Sequence, residues 1–179
     1  MNPQEVLNFW FQEAGPGAWW AKSAEFDDRI RRRFGALHHS ACLGELYPWR
    51  ETPEGRLAEV IVLDQFSRNL FRDSARAFAQ DGQALVLAQE AVSCGADLAL
   101  ELDKRCFFYM PYMHSESLVI HAVAERLFAL PGLEDNARFE RRHREIIERF
   151  GRYPHRNRVL GRRSTAEEEA FLRQPGSSF

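Results

Sequence analysis

Residues 63–72 read LDQFSRNLFR, an apolar stretch that passes directly into a block of charged and amide side chains. Asp64, Arg68 and Arg72 recur every four residues, so a helix through this stretch places them on one face. A buried helix rarely ends with so many polar groups unless they bind a ligand or satisfy one another. The stretch therefore predicts a central helix with a polar end.

Two interpretations of that polar end are open. In the first, Arg68, Asn69 and Arg72 bind an anionic ligand, and Asp64 orients the guanidinium groups through charge-assisted hydrogen bonds. In the second, Asp64 and the arginines form a structural ion pair at the end of a buried helix. Structural networks outnumber binding sites, so the ion pair is the commoner outcome. A substitution at Arg68 separates the two interpretations.

The rest of the chain also has a helical pattern. Two helices are predicted to begin at the caps Asn2-Pro3 and Thr52-Pro53, and another carries Phe26, Ile30 and Phe34 on its inner face. The remaining predicted helices cover Ser74 to Gly95, Asp103 to Tyr109 (ending before Pro111), Ser115 to Leu130, Glu134 to Phe150 and Ser164-Thr165 to Leu172. No stretch alternates as a strand would, and no linker divides the chain. One all-α domain over residues 1–179, with a loop-rich C-terminal tail, is the expected architecture.

Composition limits the classes of function. With 179 residues, a net charge of −2 and only two lysines, the chain lacks the basic face of a general nucleic-acid-binding protein, whereas its many arginines suit small anions. Three cysteines without CxxC spacing predict reduced thiols, and no metal or other cofactor is expected. Neither a signal peptide nor an apolar run long enough for a membrane span is visible, so we expect a cytoplasmic protein that binds no membrane.

A second polar motif is His114-Ser115-Glu116, which follows an aromatic segment. His114 and Glu116 at a helix start could perform acid–base chemistry, because the helix dipole favours the carboxylate there. Alternatively, Ser115 and Glu116 cap the helix by satisfying its first N–H groups. Capping is the more frequent use of such residues.

Two more segments are candidate ligand contacts. Trp19 and Trp20 follow a glycine-rich break, so they could wall a binding cavity or form a lid over the core. In the tail, His155, Arg156 and Asn157 could contact a ligand or belong to a solvated basic segment that pairs with acidic residues further on. The adjacent His38 and His39 have no visible third metal ligand.

Several separate motifs follow one another along the chain: Leu7 to Phe11, Trp19-Trp20 with Lys22, Phe26-Asp27, residues 63–72, Ala75 to Ala79 with Asp81, Tyr109 to Glu116, Pro154 to Asn157 and Pro175 to Phe179. On these motifs the chain resembles the bacterial family catalogued as domain of unknown function nine-two-four, over nearly its full length. The resemblance implies an α-α superhelix similar to tetratricopeptide repeats, and no established activity. The chain departs from the family pattern at Ser67, where proline is common, and at Ser117 and His121, where Asp and Gln are usual.

The favoured function is the binding of a small anionic ligand in a polar cleft. A metal-independent hydrolase or transferase acting on an anionic metabolite, with His114 as base, is the alternative, and a peptide- or protein-binding adaptor is the second. Because separate polar motifs in an apolar chain need a common place to be satisfied, we predict that one site brings together Arg68, Arg72, His114, Glu116 and Arg156.

Overall fold

The structure is a computed structural model that describes residues 1–178; Phe179, the last residue of the motif that begins at Pro175, lies outside them. Its α-helices are α1 (Pro3–Leu7), α2 (Pro16–Trp19), α3 (Ala24–Cys42), α4 (Pro53–Ile61), α5 (Ser67–Leu70), α6 (Asp81–Ser93), α7 (Leu102–Met113), α8 (Leu118–Leu127), α9 (Glu134–Phe150) and α10 (Ala166–Leu172). No strand occurs in residues 1–178. The predicted all-α class is confirmed.

Three helix starts follow the capping chemistry predicted from the sequence. Asn2 and Thr165 form capping boxes with Glu5 and Glu168, in which each side chain accepts a hydrogen bond from the other residue's backbone N–H. Thr52 caps α4 through its side chain alone, which accepts a hydrogen bond from the backbone N–H of Gly55, and proline occupies the first helical position. Helix α9 has the predicted bounds and ends at a left-handed glycine, Gly151.

Two predicted helix starts are wrong. Ser74 does not begin a long helix, because a 3₁₀ turn over Ala75–Ala77 intervenes and α6 starts only at Asp81. Ser115 does not begin α8 either; its hydroxyl accepts a hydrogen bond from the backbone N–H of Ser117, which forms a local turn. Serine side chains form such turns as readily as helix caps, and for this reason both helix starts were predicted too early in the chain.

Two further details differ from the sequence-based expectation. Helix α7 continues through Pro111 to Met113 instead of ending before the proline. In α9, Phe139 lies on the outer surface with 46% of its area exposed, whereas its seven-residue spacing from Ile146 would place it on the buried face. The buried face of α9 instead carries Glu140 and His143 beside Ile146 and Ile147.

The first turn of α4 packs a glycine directly against the preceding backbone. A β-carbon at Gly55 would overlap the carbonyl oxygen of Trp49. Although alanine favours a helix over glycine by about 1 kcal/mol, we predict that Gly55→Ala lowers the free energy of unfolding by roughly 1–3 kcal/mol, because the backbone must move. Gly82→Ala in α6, where a β-carbon meets no atom within 4 Å, is the matched control. Urea denaturation of both variants tests this, and equal stability of Gly55→Ala and wild type would contradict it.

Contacts divide the chain into two compact units, which are described separately. The first unit comprises Met1–Arg72 and Arg76–Pro111. Its core is aromatic: the ring of Phe34 lies 4.9 Å from that of Phe9 and 5.0 Å from that of Phe66, measured between centroids. Helix α6 packs against α4 through a face of small residues, Ala84, Ala88 and Ala91, all fully buried.

The second unit comprises Asp73–Ala75 and the chain from Tyr112 onward. Helices α8 and α9 pack against each other, and Ile146, Ile147 and Tyr153 form its apolar centre. The Tyr153 hydroxyl donates a hydrogen bond of 2.6 Å to the backbone oxygen of Met113, so the buried ring has a satisfied polar end.

Within residues 1–178, no helix is both long enough and apolar enough to cross a membrane. The prediction of a single domain over residues 1–179 and the resemblance to tetratricopeptide repeats remain predictions.

Candidate functional site

Residues 63–72, called the signature below, begin within a π-helical turn. Helix α4 runs into this turn over Val62–Phe66, and α5 follows as a single short helix. Such turns widen a helix locally and are frequent at functional sites. Because regular helix ends at Leu70, Arg72 does not share a face with Arg68, as a continuous helix would require.

Arg68 lies between two carboxylates of the first unit. Its Nη1 atom is 3.1 Å from Oδ1 of Asp64 and 3.0 Å from Oδ1 of Asp81. Asp64 is only 1% exposed, and the amide of Gln65 donates a second hydrogen bond to it at 2.6 Å. This arrangement supports the structural interpretation of Arg68, in which the guanidinium balances buried negative charge.

Arg72 connects the end of α5 to α3. Its Nε and Nη2 atoms donate a bidentate pair of hydrogen bonds to Asp27, at 2.7 and 2.8 Å. The amide of Asn69 donates to the same carboxylate at 2.8 Å. Asp27 lies 45 residues before Arg72, and no local sequence pattern identifies it as the partner. All three predicted ligand-binding side chains of the signature therefore contact carboxylates of the protein itself.

In the second unit, Glu116 is held by the tail. Arg162 donates to both of its carboxylate oxygens, at 2.6 and 2.9 Å, and the backbone N–H of Tyr153 donates at 2.7 Å. Burial tends to raise the pKa of Glu116, but the hydrogen bonds from Arg162 and Tyr153 outweigh it and lower the pKa below its usual value. A carboxylate held in the ionised form by a guanidinium is a poor proton donor at neutral pH.

The predicted tail residues lie in the same network. Nη2 of Arg156 donates to the backbone oxygen of His114 at 2.9 Å, and its guanidinium lies 4.6 Å from the centre of the Tyr153 ring. Asn157 accepts a hydrogen bond from Arg162 and donates one to Ser164, at 2.9 and 3.1 Å. The ring of His155 lies 5.6 Å from that of Tyr153, measured between centroids.

The structure places His114, Glu116, Arg156 and Asn157 in the second unit. Arg68 and Arg72 belong to the first unit. A single site formed by both groups remains a prediction.

The two adjacent tryptophans differ in their surroundings. Trp19 stacks on Trp10 with a centroid distance of 6.0 Å, and its Nε1 donates to the backbone oxygen of Trp10 at 2.8 Å. Trp20 is 59% exposed and stacks on Phe107. Trp19 therefore packs on the core, and the role of either tryptophan as a lid or as a ligand contact remains a prediction.

A cavity of about 210 Å³ opens in the first unit, beside the signature. One face of α3 forms a wall of the cavity, with small and polar residues at positions i, i+3, i+4 and i+7: Gly35, His38, His39 and Cys42. The lining consists of Gly35, His38, His39, Cys42, Phe71, Arg76, Ala79 and Gln80. These residues, taken from the described part of the chain, contribute a guanidinium, two imidazoles, an amide and a thiol, and no carboxylate side chain.

His38 is fixed in one orientation at the base of the cavity. Its Nε2 atom lies 2.7 Å from the Ser67 hydroxyl, which donates to the backbone oxygen of Leu63 at 2.5 Å. Because the single hydroxyl proton goes to Leu63, the Ser67 oxygen accepts, and Nε2 of His38 carries the proton. Burial, together with the charge of Arg76, lowers the pKa of His38 to about 4, so the ring is neutral at neutral pH.

Arg76 lies above the aromatic wall of the cavity. Its guanidinium carbon is 3.7 Å from the centre of the Phe71 ring, a close cation–π contact. This contact uses the face of the guanidinium, whereas its N–H groups lie in the plane and bind anions edge-on, so the two interactions are compatible. This cavity was not predicted from the sequence, although the spacing of His38, His39 and Cys42 on one helix face could have indicated it.

Among residues 1–178, no group of three or more His, Cys, Asp or Glu side chains lies close enough together to hold a metal ion. The arrangement around Arg76 instead suits an anion that is bound by hydrogen bonds and charge.

Comparisons with known proteins identify relatives without an assigned activity. The solved structure of a protein of unknown function, ATU0120 from Agrobacterium tumefaciens, superposes with a TM-score of 0.90 at 41% sequence identity, covering 96% of each chain. No match was found among curated proteins. A family model described as "Bacterial protein of unknown function (DUF924)" matches residues 6–176. On its motifs, its helical fold and this match, the chain belongs to that bacterial family.

Proposed function

We propose that the protein binds a small anionic ligand in the cavity around Arg76. The observation that carries this proposal is the composition of the lining: among residues 1–178 it offers Arg76, two imidazoles and the Gln80 amide, and no carboxylate side chain. A lining of hydrogen-bond donors that includes a guanidinium favours the binding of carboxylate or phosphate groups.

The size of the cavity limits the ligand. At about 210 Å³ it lies below the range of roughly 300–1,000 Å³ for drug-sized ligands. A ligand with one anionic group and a few further atoms fits, such as inorganic phosphate or a short carboxylate. Three free cysteines favour a reducing compartment, so we place this activity in the cytoplasm.

In this proposal, the residues of the signature and the tail that were predicted to bind the ligand stabilise the fold instead. Arg68 and Arg72 bind Asp64, Asp81 and Asp27, which holds the helices that form the cavity walls. In the second unit Glu116 is paired with Arg162, which argues against acid–base catalysis by that carboxylate. The alternative enzyme with His114 as base and the adaptor are therefore less well supported than binding in the cavity.

The test is the affinity for inorganic phosphate, measured by isothermal titration calorimetry. We predict that Arg76→Gln weakens binding by about 10- to 100-fold, because a hydrogen bond to a charged group contributes roughly 1.5–3 kcal/mol. Arg142→Gln is the matched control, since Arg142 is also exposed and also lies over a phenylalanine ring, that of Phe139, outside the cavity. Equal losses in the two variants would contradict a site at Arg76.

A further inference from the structure

The second unit contains a histidine and a glutamate that are both withdrawn from solvent. His121 on α8 is 0% exposed and Glu140 on α9 is 1% exposed, and Nδ1 of His121 lies 2.6 Å from Oε1 of Glu140. Neither residue lines the cavity around Arg76. We propose that His121 and Glu140 share one buried proton, which fastens α8 to α9 and makes the stability of the protein fall as the pH rises above neutral.

The other ring nitrogen of His121 carries a hydrogen. Its Nε2 atom lies 2.9 Å from the backbone oxygen of Ser115, which can only accept. Nε2 is also 3.2 Å from the Tyr153 hydroxyl, whose own proton goes to the backbone oxygen of Met113 at 2.6 Å. A lone pair on Nε2 would face oxygen lone pairs on both sides, so Nε2 is a protonated ring nitrogen.

A further proton lies between the two side chains. With its hydrogen on Nε2, a neutral His121 presents a lone pair at Nδ1, and an ionised Glu140 also presents only lone pairs. Two lone pairs repel each other at 2.6 Å, so a proton must lie between Nδ1 and Oε1. An imidazolium beside a carboxylate and an imidazole beside a carboxylic acid both contain this one proton, and both have no net charge.

The surroundings of the pair oppose the loss of this proton. Within residues 1–178, Oε2 of Glu140 is buried without a hydrogen-bond partner, so a lone negative charge on this carboxyl would be poorly solvated. Burial accordingly raises the pKa of Glu140 above its usual value. The proton is therefore retained at a pH where an exposed glutamate and an exposed histidine have both lost theirs.

Neighbouring charges leave this balance in place. The other charged or titratable groups around the pair are Glu125 on α8, His143 and Arg144 on α9, Tyr153, and His114 and His155, which lie near His143. Glu125 and Arg144 form an ion pair with each other, so their charges oppose each other at the pair. Burial lowers the pKa of His143 to about 3, so that ring is neutral.

The sign of the pH dependence follows from the number of bound protons. In the unfolded chain a histidine has a pKa of about 6.5 and a glutamate one of about 4.3. Between about pH 7 and pH 8 the unfolded chain thus binds almost no proton at these two positions, whereas the folded pair keeps one. Because the folded state binds more protons there, its stability is lost as the pH rises.

Replacing Glu140 by glutamine removes the shared proton and keeps the hydrogen bond. The amide N–H of glutamine donates to Nδ1 of a neutral His121. Urea denaturation of the full chain, followed by circular dichroism at about pH 7, 7.5 and 8, gives the folding equilibrium constant. We expect the ratio of this constant in the wild type to that in Glu140→Gln to fall by about tenfold over this range, as one proton requires.

Glu125→Gln is the matched control, because Glu125 is a neighbouring but half-exposed carboxylate that does not hold the proton. It should keep the pH dependence of the wild type. A constant ratio of wild type to Glu140→Gln between pH 7 and pH 8 would overturn the proposal. If Glu140→Gln does not fold, the wild type alone decides: its folding constant should fall severalfold over this range, and a constant or rising value would overturn the shared proton.

Discussion

Replacing Arg68 by methionine is expected to lower the free energy of unfolding by roughly 3–5 kcal/mol, because it removes the guanidinium that balances a buried carboxylate. Asp64 is 1% exposed and lies 3.1 Å from Arg68, and Asp81 lies at 3.0 Å. Methionine keeps much of the packing of the arginine stem. The melting temperature of a chain of this length should fall by about ten degrees.

A double-mutant cycle isolates the cause of this loss. Asp64→Asn combined with Arg68→Met should recover a large part of the stability, because neither charge of that pair remains. Recovery should be incomplete, since Asp81 also loses its guanidinium. Arg138→Met, which removes an exposed pair with Asp135, is the control and should change the melting temperature little. Strict additivity of the two single substitutions would contradict a structural ion pair.

Acid should destabilise the protein well before its carboxylates titrate. Burial lowers the pKa of His143 to about 3 and that of His38 to about 4, whereas both have a pKa of about 6.5 in the unfolded chain. The unfolded state therefore binds more protons than the folded state as the pH falls below 6.5. Between about pH 7 and about pH 5 the two histidines together should cost roughly 3–4 kcal/mol of stability.

Buried Glu140 has the opposite effect on stability at low pH. Burial raises the pKa of Glu140, so the folded state takes up a proton there more readily than the unfolded state does and gains stability at low pH. Urea denaturation midpoints at about pH 7, 6 and 5 measure the net effect. His143→Gln should remove about half of the loss, because a single titrating histidine then remains. An identical pH dependence in the wild type and in His143→Gln would contradict burial of a neutral ring at His143.

Helix positions were predictable where local chemistry decides them. The caps at Asn2, Thr52 and Thr165 bond to backbone N–H groups within three residues, so the sequence contains both partners. Starts at Ser74 and Ser115 were mispredicted because serine also stabilises turns, and only tertiary packing selects between the two uses. The π-helical turn in the signature has no comparable local signal.

The candidate site was harder to predict because its partners are distant in sequence. Arg72 was predicted either to bind a ligand or to form an ion pair, but Asp27, its partner in α3, lies 45 residues away in the sequence. His38 was considered only as a metal ligand, since its hydrogen bond to Ser67 joins residues 29 positions apart. Periodicity reveals which side chains share a helix face, whereas the packing of two helices determines which of them meet.

The most direct test compares two arginines that have opposite roles in this interpretation. Arg68 holds buried carboxylates, and Arg76 lines the cavity. The measurement is the phosphate dissociation constant of Arg68→Met and Arg76→Gln, at a temperature where both are folded. We predict that Arg68→Met, though less stable, binds within about twofold of wild type, whereas Arg76→Gln loses at least about tenfold in affinity. The reverse order, with affinity lost at Arg68 and retained at Arg76, would contradict the assignment of the site to the cavity.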